Sequence, residues 1–424
     1  MKKLLMMIGA AAVAVGANAD TYTDDSGVVW TFYTNSDTTD DGSTAASLSG
    51  DDKDSPCISK TAVVDAANIP WTFEKDGVNY TVTHVCGHAF YQCTGLTGTL
   101  AIPTTVKKIG RTKDGDANNH PFNGCTGLTG ISSFGDGLTS NPCQGFFKGC
   151  TGLEGTLVIP DTFSRAFDNY AFDGCSKLTG IVVGSGTTQI GRLFGSNATS
   201  LKGVWVKGRP TVESGTQNYT SVKQYNTFQD STGLRVVLFG KNTSVTDTSD
   251  KYGMLNGVTT AGCIVFAPAN GKWSSFTLGE GGIHYKVYYG ADQDLDLEID
   301  EAAGTITAKV KTEAMLKRVL EAAPIFKSEF NLDTRIEVAA SLDVADVSAV
   351  AGHLAADTLP MAFAVKTQAQ LEKVLAVVPS TSLIAIDPTG ATEKLVLPGD
   401  RSAWVYLPAN GQYRKLGGLI ISFR

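Results

Sequence analysis

Short apolar runs that stop at a proline set the pattern in the middle of the chain. Leu100–Pro103 and Leu157–Pro160 are two such runs, and each follows a Gly-Thr pair. Because proline cannot donate a hydrogen bond to a neighbouring strand, such runs are typical of brief strands that end at a corner. The pattern therefore predicts short strands joined by compact turns.

A phrase of the form Phe-x-x-Cys-x-x-Leu recurs through the same region. Its four complete copies are Phe90, Cys93 and Leu96; Phe122, Cys125 and Leu128; Phe147, Cys150 and Leu153; and Phe172, Cys175 and Leu178. Two looser copies follow, with Phe194, Asn197 and Leu201, and with Phe228, Ser231 and Leu234. A unit of about 23 to 33 residues cannot bury its own apolar face, so neighbouring units are expected to stack into a solenoid. We expect the four phenylalanines of the complete copies to form one stacked column.

A second repeat, with helical spacing, begins near residue 291. Val310–Leu320 (VKTEAMLKRVL) recurs as Val365–Leu375 (VKTQAQLEKVL), and each copy follows a short apolar strand. Thr367 and Gln370 fit a capping box at the start of the second helix. Each helix is expected to end at a proline, Pro324 in the first copy. The pattern predicts a compact α/β domain that contains a duplicated strand–helix unit.

The first repeat resembles the BspA-type leucine-rich repeat of bacterial surface proteins, Val-x-x-Ile-Gly-x-x-Ala-Phe-x-x-Cys-x-x-Leu-x-x-x-x-Ile-Pro. Val82–Pro103 matches this template with Cys86 in place of the glycine, and Thr162–Leu178 matches it from its middle. The resemblance covers about residues 82–240. It implies a right-handed, β-rich solenoid in a surface-exposed or extracellular binding protein, often an adhesin, and it leaves the ligand open.

The N-terminus has the pattern of a bacterial signal peptide. Lys2 and Lys3 precede the apolar stretch Leu4–Gly16, and Ala17–Ala19 supplies small residues for the peptidase. Cleavage is expected after Ala19, which predicts an exported protein, either extracellular or on the cell surface. Later apolar runs are shorter than the ~20 residues of a membrane helix, so no membrane span is expected after cleavage.

The charge and the motifs of the chain argue against nucleic-acid binding, catalysis and metal binding. The 424-residue chain has a formal net charge of -7 and lacks a Lys/Arg-rich run, which argues against a nucleic-acid partner. It has no Gly-x-Ser-x-Gly elbow and its histidines lie in unrelated contexts, so an enzyme is not expected. His84, Cys86 and His88 do not complete a zinc template, and the acidic row Asp292–Asp300 fails the EF-hand template. No metal or other cofactor is expected.

Four of the eight cysteines share one repeat position, which the looser copies fill with Asn197 and Ser231. Such a position suits a small side chain that turns toward backbone groups inside the coil. Free, buried thiols are therefore favoured at these positions. Disulfides between adjacent coils are the alternative, which geometry must decide.

Aromatic residues in the looser coils are the candidates for ligand contact. Trp205, Tyr219 and Tyr225 lie in or near these coils, and aromatic side chains bring large rigid area to an interface. The alternative is that they pack the C-terminal side of the solenoid.

The combined prediction is an α/β chain with four parts. They are a signal peptide over 1–19, an N-terminal β cap over 20–81, a leucine-rich-repeat solenoid over 82–290 and an α/β domain over 291–424. The predicted function is binding or adhesion, through the repeat surface, to an extracellular protein or a glycan. A structural envelope or matrix component without a discrete ligand is the first alternative, and a carbohydrate-active enzyme is the second. The oligomeric state stays open.

Overall fold

The computed structural model describes most of the chain between residues 19 and 415. The described ranges are 19–35, 39–49, 56–110, 120–139, 141–142, 144–209, 219–246, 248, 253–259, 262–338, 361–377, 384–387, 391–396, 404–407 and 412–415. The expected signal peptide lies outside them apart from Ala19, and so does Cys143. Neither helix in the described ranges is both long enough and apolar enough to cross a bilayer.

Strands near the N-terminus form one sheet. They are β1 (Asp20–Thr23), β2 (Val29–Thr34), β3 (Thr44–Leu48), β5 (Thr72–Lys75), β6 (Val78–Val85) and β8 (Lys108–Ile109). Their order is β1-β2-β3-β6-β5, and β8 also pairs with β6. Trp30 and Phe32 are two residues apart on β2, so both point into the core, where both are buried. Because β8 belongs to the first repeats, this sheet joins the N-terminal strands to the solenoid.

The repeat coils contribute their strands to three further sheets, in which every pair is parallel. The three-stranded sheet contains β4 (Val64–Asp65), β7 (Leu96–Ile102) and β9 (Leu128–Phe134). A short 3-10 helix at Ala66–Asn68 follows β4. The long sheet contains β10 (Gly155–Ile159), β12 (Leu178–Val183), β14 (Gly203–Val206), β16 (Val236–Phe239), β18 (Ile264–Pro268) and β19 (Tyr285–Tyr289). The small sheet contains β11 (Ala166–Phe167), β13 (Gln189–Ile190), β15 (Thr220–Lys223) and β17 (Thr243–Thr246).

The Phe-x-x-Cys turns lie above one another at one corner of the coils. The rings of Phe90, Phe122, Phe147 and Phe172 stack with successive centroid separations of 5.0, 5.3 and 5.8 Å. The phenylalanine, the cysteine and the leucine of each of the four complete copies are buried. The turns are also tied by the backbone: the Phe147 N–H donates to the carbonyl of Ala171, one residue before the next phenylalanine.

The same backbone pattern corrects the alignment of the looser copy near Phe194. The Phe172 N–H donates to the Phe194 carbonyl, which places Gly195 at the phenylalanine position. Ala198 then holds the cysteine position, and Asn197 is the left-handed residue before it (φ 53°). The prediction that Asn197 fills the cysteine position is therefore wrong. The spacing is unbroken, and Phe194 fills the core from one residue earlier.

Coils continue past residue 240, where the sequence repeat fades. The Phe228 N–H donates to Met254 and the Leu255 N–H donates to Leu278, so Leu255 and Gly279 hold the next two phenylalanine positions. Because neither residue supplies an aromatic ring, the sequence motif disappears although the coil geometry persists.

The C-terminal unit, β20 to β26, is a separate sheet with helices. It comprises β20 (Leu295–Asp300), β21 (Thr305–Val310), α1 (Glu313–Phe330), β22 (Asp333–Val338), β23 (Met361–Ala364), α2 (Gln368–Val377), β24 (Ile384–Asp387), β25 (Trp404–Leu407) and β26 (Gln412–Lys415). The seven strands follow their sequence order in the sheet; β21 to β25 are parallel, and the two edge strands are antiparallel to their neighbours. The two sequence copies form β21–α1 and β23–α2.

Helix α1 does not end at Pro324 as the sequence predicts. It begins with Thr312, whose hydroxyl accepts from the Met315 N–H, and runs through the proline to a left-handed cap at Asn331. Proline disfavours the helix interior because it lacks an N–H and crowds the preceding turn. The turns beyond it persist because Phe326 and Phe330 are buried against the long sheet, and tertiary packing of this kind overrides local propensity.

Candidate functional site

The C-terminal unit covers the outer face of the long sheet. All residues of β14 and β16 are buried, so both faces of these strands are covered. On β10, in contrast, the outward-facing Val158 is 56% exposed. One apolar cluster joins Val182 and Leu238 of the sheet to Leu320 of α1. The outer face of the long sheet, which carries Trp205, is thus largely filled by the chain itself.

Helix α1 crosses the strands along the direction of the stack. The Arg318 guanidinium lies over the ring of Tyr285 on β19. Further along the helix, Phe326 packs against Phe266 on β18, with ring centroids 5.6 Å apart. The end of the helix reaches β10, β12 and β14 through Glu329 and the residues beside it.

Trp205 is part of this interface. Its side chain is only 4% exposed, and its ring centroid lies 5.9 Å from that of Phe330. The expectation that Trp205 is an exposed contact residue is therefore wrong. The physical reason is the helix beyond Pro324, which the sequence pattern does not predict.

A buried carboxylate fixes the helix end to the sheet. Glu329 is 6% exposed and accepts from the hydroxyls of Thr156 and Thr179, at 2.7 and 2.8 Å. Hydrogen bonds to a charged group stabilise more than neutral ones, and a buried carboxylate without them would be costly. We call Thr156, Thr179 and Gly180 the occupied cradle.

Small residues on the sheet make room for the helix. A Cβ at Gly203 would lie 2.7 Å from the Ile325 side chain and 3.0 Å from the Phe330 ring. A Cβ at Gly180 would lie 2.9 Å from a Glu329 carboxylate oxygen. The close approach of α1 therefore depends on glycine at both positions.

An ion-pair group borders the interface. Lys207 pairs with Glu301 of the C-terminal unit and with Asp161 of the solenoid. Burial disfavours the charged form of Lys207, but the bonds to Glu301 and Asp161 outweigh this effect and raise its pKa. The lysine thus stays charged where the two parts of the chain meet.

Tyr225 lies on another side of the coils, beside Arg192. The guanidinium carbon of Arg192 is 4.6 Å from the centre of the Tyr225 ring. The two residues hold equivalent places in consecutive coils, since each precedes a left-handed residue, Leu193 or Asn226. Both are partly exposed, so an aromatic ring and a cation form one ridge across two coils.

Tyr219 lies at the start of β15 in the small sheet, at the other end of this strand from Tyr225. It immediately precedes β15 and has Lys272 over its ring at 5.9 Å. The outward-facing residues of β15 are Ser221 and Lys223, and both are partly exposed. The small sheet therefore offers hydroxyl, cationic and aromatic groups together.

The cysteine side chains form hydrogen bonds between consecutive coils. The thiols of Cys125, Cys150 and Cys175 donate to the carbonyls of Phe90, Phe122 and Phe147, each one coil earlier. All seven described cysteines are free thiols. Burial raises the pKa of the Cys93 and Cys150 thiols to about 12, which suppresses the nucleophilic thiolate.

Glu298 of the acidic row and His84 have local partners. Glu298 on β20 pairs with Lys309 on the adjacent strand, and its hydrogen bond to this lysine lowers the glutamate pKa. The ring nitrogen Nδ1 of His84 lies 3.0 Å from the Thr83 hydroxyl. Within the described ranges, no three His, Cys, Asp or Glu side chains are grouped so as to hold a metal ion.

An open groove near the N-terminal strands has no counterpart in the sequence reasoning. It has a volume of about 590 Å³ and is lined by residues 27–29, 31, 56–60, 62 and 63. Val29 and Val63 on its wall are exposed. Isolated exposed valines in a sequence carry no signal, so only the structure reveals this groove.

Comparisons with known proteins identify the repeat. Residues 73–192 match the model of the BspA type leucine rich repeat region, in six copies. Residues 73–192 therefore carry repeats of this type, and the coils continue beyond the matched segment to β19. No curated protein matches the chain.

Solved structures of leucine-rich-repeat proteins are also similar to parts of the chain. A T. pallidum leucine rich repeat protein is 23% identical, covering 49% of this chain and 83% of its own, with a TM-score of 0.31. A leucine rich cell surface protein from Faecalibacterium prausnitzii is 16% identical, with coverages of 64% and 96% and a TM-score of 0.24. A leucine-rich repeat protein from Bacteroides ovatus is 15% identical, with coverages of 84% and 98% and a TM-score of 0.19. These scores are too low to carry a structural argument, so the repeat is identified from the family model over residues 73–192 alone.

Proposed function

We propose that this chain is an exported cell-surface protein that binds an extracellular protein or a glycan through its repeat coils. BspA-type repeats support a binding role, and one solved leucine-rich-repeat protein similar to this chain is described as a cell surface protein. The expected signal peptide supports export. Right-handed coiling and cleavage after Ala19 remain part of the proposal.

One observation carries the choice of surface. The outer face of β12 to β19 is covered by the C-terminal unit, so ligand contact is assigned to coil surfaces that this unit leaves open. The ridge of Arg192 and Tyr225 is the best of these surfaces, and β15 beside it carries Lys223 at its end and follows Tyr219 at its start. Aromatic and arginine side chains are favoured as binding anchors because they bring rigid area and directed donors.

The test is an array of extracellular proteins and glycans probed with the chain from Asp20 onward. For a ligand found there, Tyr225→Ala is expected to weaken affinity at least tenfold, as removal of a central anchor does. The matched control is Tyr91→Ala, because Tyr91 also lies beneath a cation, Lys60, but in the first coil. Equal affinities for the two variants would refute the surface, and an array without ligands would favour the structural alternative.

A further inference from the structure

The strand pair that forms the occupied cradle has a duplicate nearer the N-terminus. In the occupied pair, Thr156 on β10 lies opposite Gly180 on β12, and the register shifts just before the threonine. In the pair β7–β9, Thr99 lies opposite Gly130, and the register shifts at the same place. The residue before the shift is a glycine with positive φ in both pairs, at 69° and 78°.

The side chains of the duplicate match as well. Thr129 precedes Gly130 as Thr179 precedes Gly180, within the shared sequence Leu-Thr-Gly-Ile. A Cβ at Gly130 would lie 3.2 Å from the Thr99 hydroxyl oxygen, and one at Gly180 would lie 2.5 Å from the Thr156 hydroxyl oxygen, so the occupied pair is the closer of the two. Thr99, Thr129 and Gly130, which we call the open cradle, therefore repeat the backbone and both hydroxyls of the occupied cradle.

The two cradles differ in what covers them. The occupied cradle holds the carboxylate of Glu329, whereas Thr99 and Thr129 are both exposed. Helix α1 contacts β12 and β14 and ends at Phe330, so the open cradle lies beyond its C-terminal end on the same side of the coils. We propose that the open cradle binds an aspartate or glutamate side chain of a partner protein.

A protein partner is favoured because the open cradle continues an interface that already exists. The strand of the occupied cradle that lies next to the open cradle is β10, whose Val158 is an exposed large apolar side chain. In the register of the sheet, Val158 is aligned with Val182 and Trp205, which are buried beneath the C-terminal unit. A partner that places a carboxylate on Thr99 and Thr129 would extend this covered apolar row by one strand.

An acidic neighbour does not exclude a carboxylate at this place. Asp65 lies opposite Thr97 beside the open cradle, and its carboxylate accepts from the Ala67 N–H. The occupied cradle has its own acidic neighbour, Glu154, at the place that corresponds to Thr97. The occupied cradle nevertheless holds Glu329.

The test uses a peptide with the sequence of residues 322–331 (AAPIFKSEFN), which contains the group that the occupied cradle holds. It is titrated into the full chain carrying ¹³C-labelled threonine methyl groups, and a second peptide carries Glu329→Gln. We expect saturable shifts of the Thr99 and Thr129 methyl signals with the glutamate peptide and at least tenfold weaker binding of the glutamine peptide. The Thr156 and Thr179 signals should stay in place, because their hydroxyls are already engaged.

Variants of the open cradle give the control. Thr99→Val with Thr129→Val keeps the shape and removes both hydroxyls, so peptide binding should fall at least tenfold, whereas Thr99→Ser with Thr129→Ser should retain it. Equal binding of both peptides would overturn the proposal, as would shifts only at Thr156 and Thr179, which would indicate displacement of α1. If the protein self-associates without peptide and the double valine variant does not, the proposal of a different partner protein is overturned. The carboxylate would then come from a second copy of this chain. The site is separate from the Tyr225 ridge, so either assignment can fail alone.

Discussion

At the scale of the residue, the position three after the repeat phenylalanine closes the gap between coils. Cysteine donates to a backbone carbonyl of the preceding coil, and Ser231 does the same with the Gly195 carbonyl at 2.6 Å. The Phe90 carbonyl already accepts from the Cys93 N–H, so the Cys125 thiol adds a second hydrogen bond to it, and this bond joins the two coils. Ala198 occupies the same position and has no side-chain donor. A small side chain is therefore the stronger requirement at this position, and a hydrogen-bond donor is the weaker one.

Burial of these thiols has a measurable consequence in alkaline solution. The pKa of Cys150 rises from 9.0 to about 12, so the folded state favours the neutral thiol. Its contribution to stability is fully present below pH 9 and is lost as the pH rises toward 12. We expect slow reaction of the native protein with a thiol reagent at pH 8, fast reaction in denaturant, and decreasing stability above pH 9. Fast reaction of the native cysteines at pH 8 would contradict the buried arrangement.

Sequence reasoning finds this position but not all of its occupants. Four phenylalanines and four cysteines at one spacing suffice to predict the stacked column. Where glycine replaces the phenylalanine, as at Gly195, the nearest aromatic residue suggests a false alignment. Only the backbone bond from Phe172 to Phe194 resolves it, and a bond of this kind leaves no trace in the pattern.

At the scale of the element, helix α1 decides where the C-terminal unit can sit. The part that packs on the coils lies beyond Pro324, where local propensity alone ends the helix. The sequence therefore predicts the strand–helix unit and its start at Thr312, but neither the last turns nor their contacts. For this reason the sequence does not predict the interface between α1 and the long sheet.

Replacement of the proline should strengthen the helix. Pro324→Ala restores a backbone N–H within the helix and removes a steric clash, so the free energy of unfolding should rise by about 1 to 2 kcal/mol. The gain stays below ~3 kcal/mol because proline also stiffens the unfolded chain. Denaturant titration checks this result.

Pro103→Ala is the control, because Pro103 follows a strand at a corner and interrupts no helix. It should leave stability unchanged or lower it slightly. A loss of stability in Pro324→Ala equal to that of the control would contradict the continuous helix.

At the scale of the whole molecule, the C-terminal unit buries part of the outer surface of the repeat coils. Strands β14, β16 and β18 are apolar at every buried position on both faces, which is typical of covered parallel strands. This signal is present in the sequence. It does not say which part of the chain supplies the cover, because that depends on contacts between residues more than a hundred positions apart, such as Thr156 and Glu329.

The coupling between Glu329 and the hydroxyls of Thr156 and Thr179 tests this arrangement most directly. The paired change Thr156→Val with Thr179→Val should lower the free energy of unfolding by about 3 kcal/mol, because it leaves a buried carboxylate without these donors. Combined with Glu329→Gln, it should cost at least about 2 kcal/mol less than the sum of the separate changes. The matched pair Thr99→Val with Thr129→Val should be additive with Glu329→Gln. Additivity within about 0.5 kcal/mol at Thr156 and Thr179 would show that α1 does not dock on the coils.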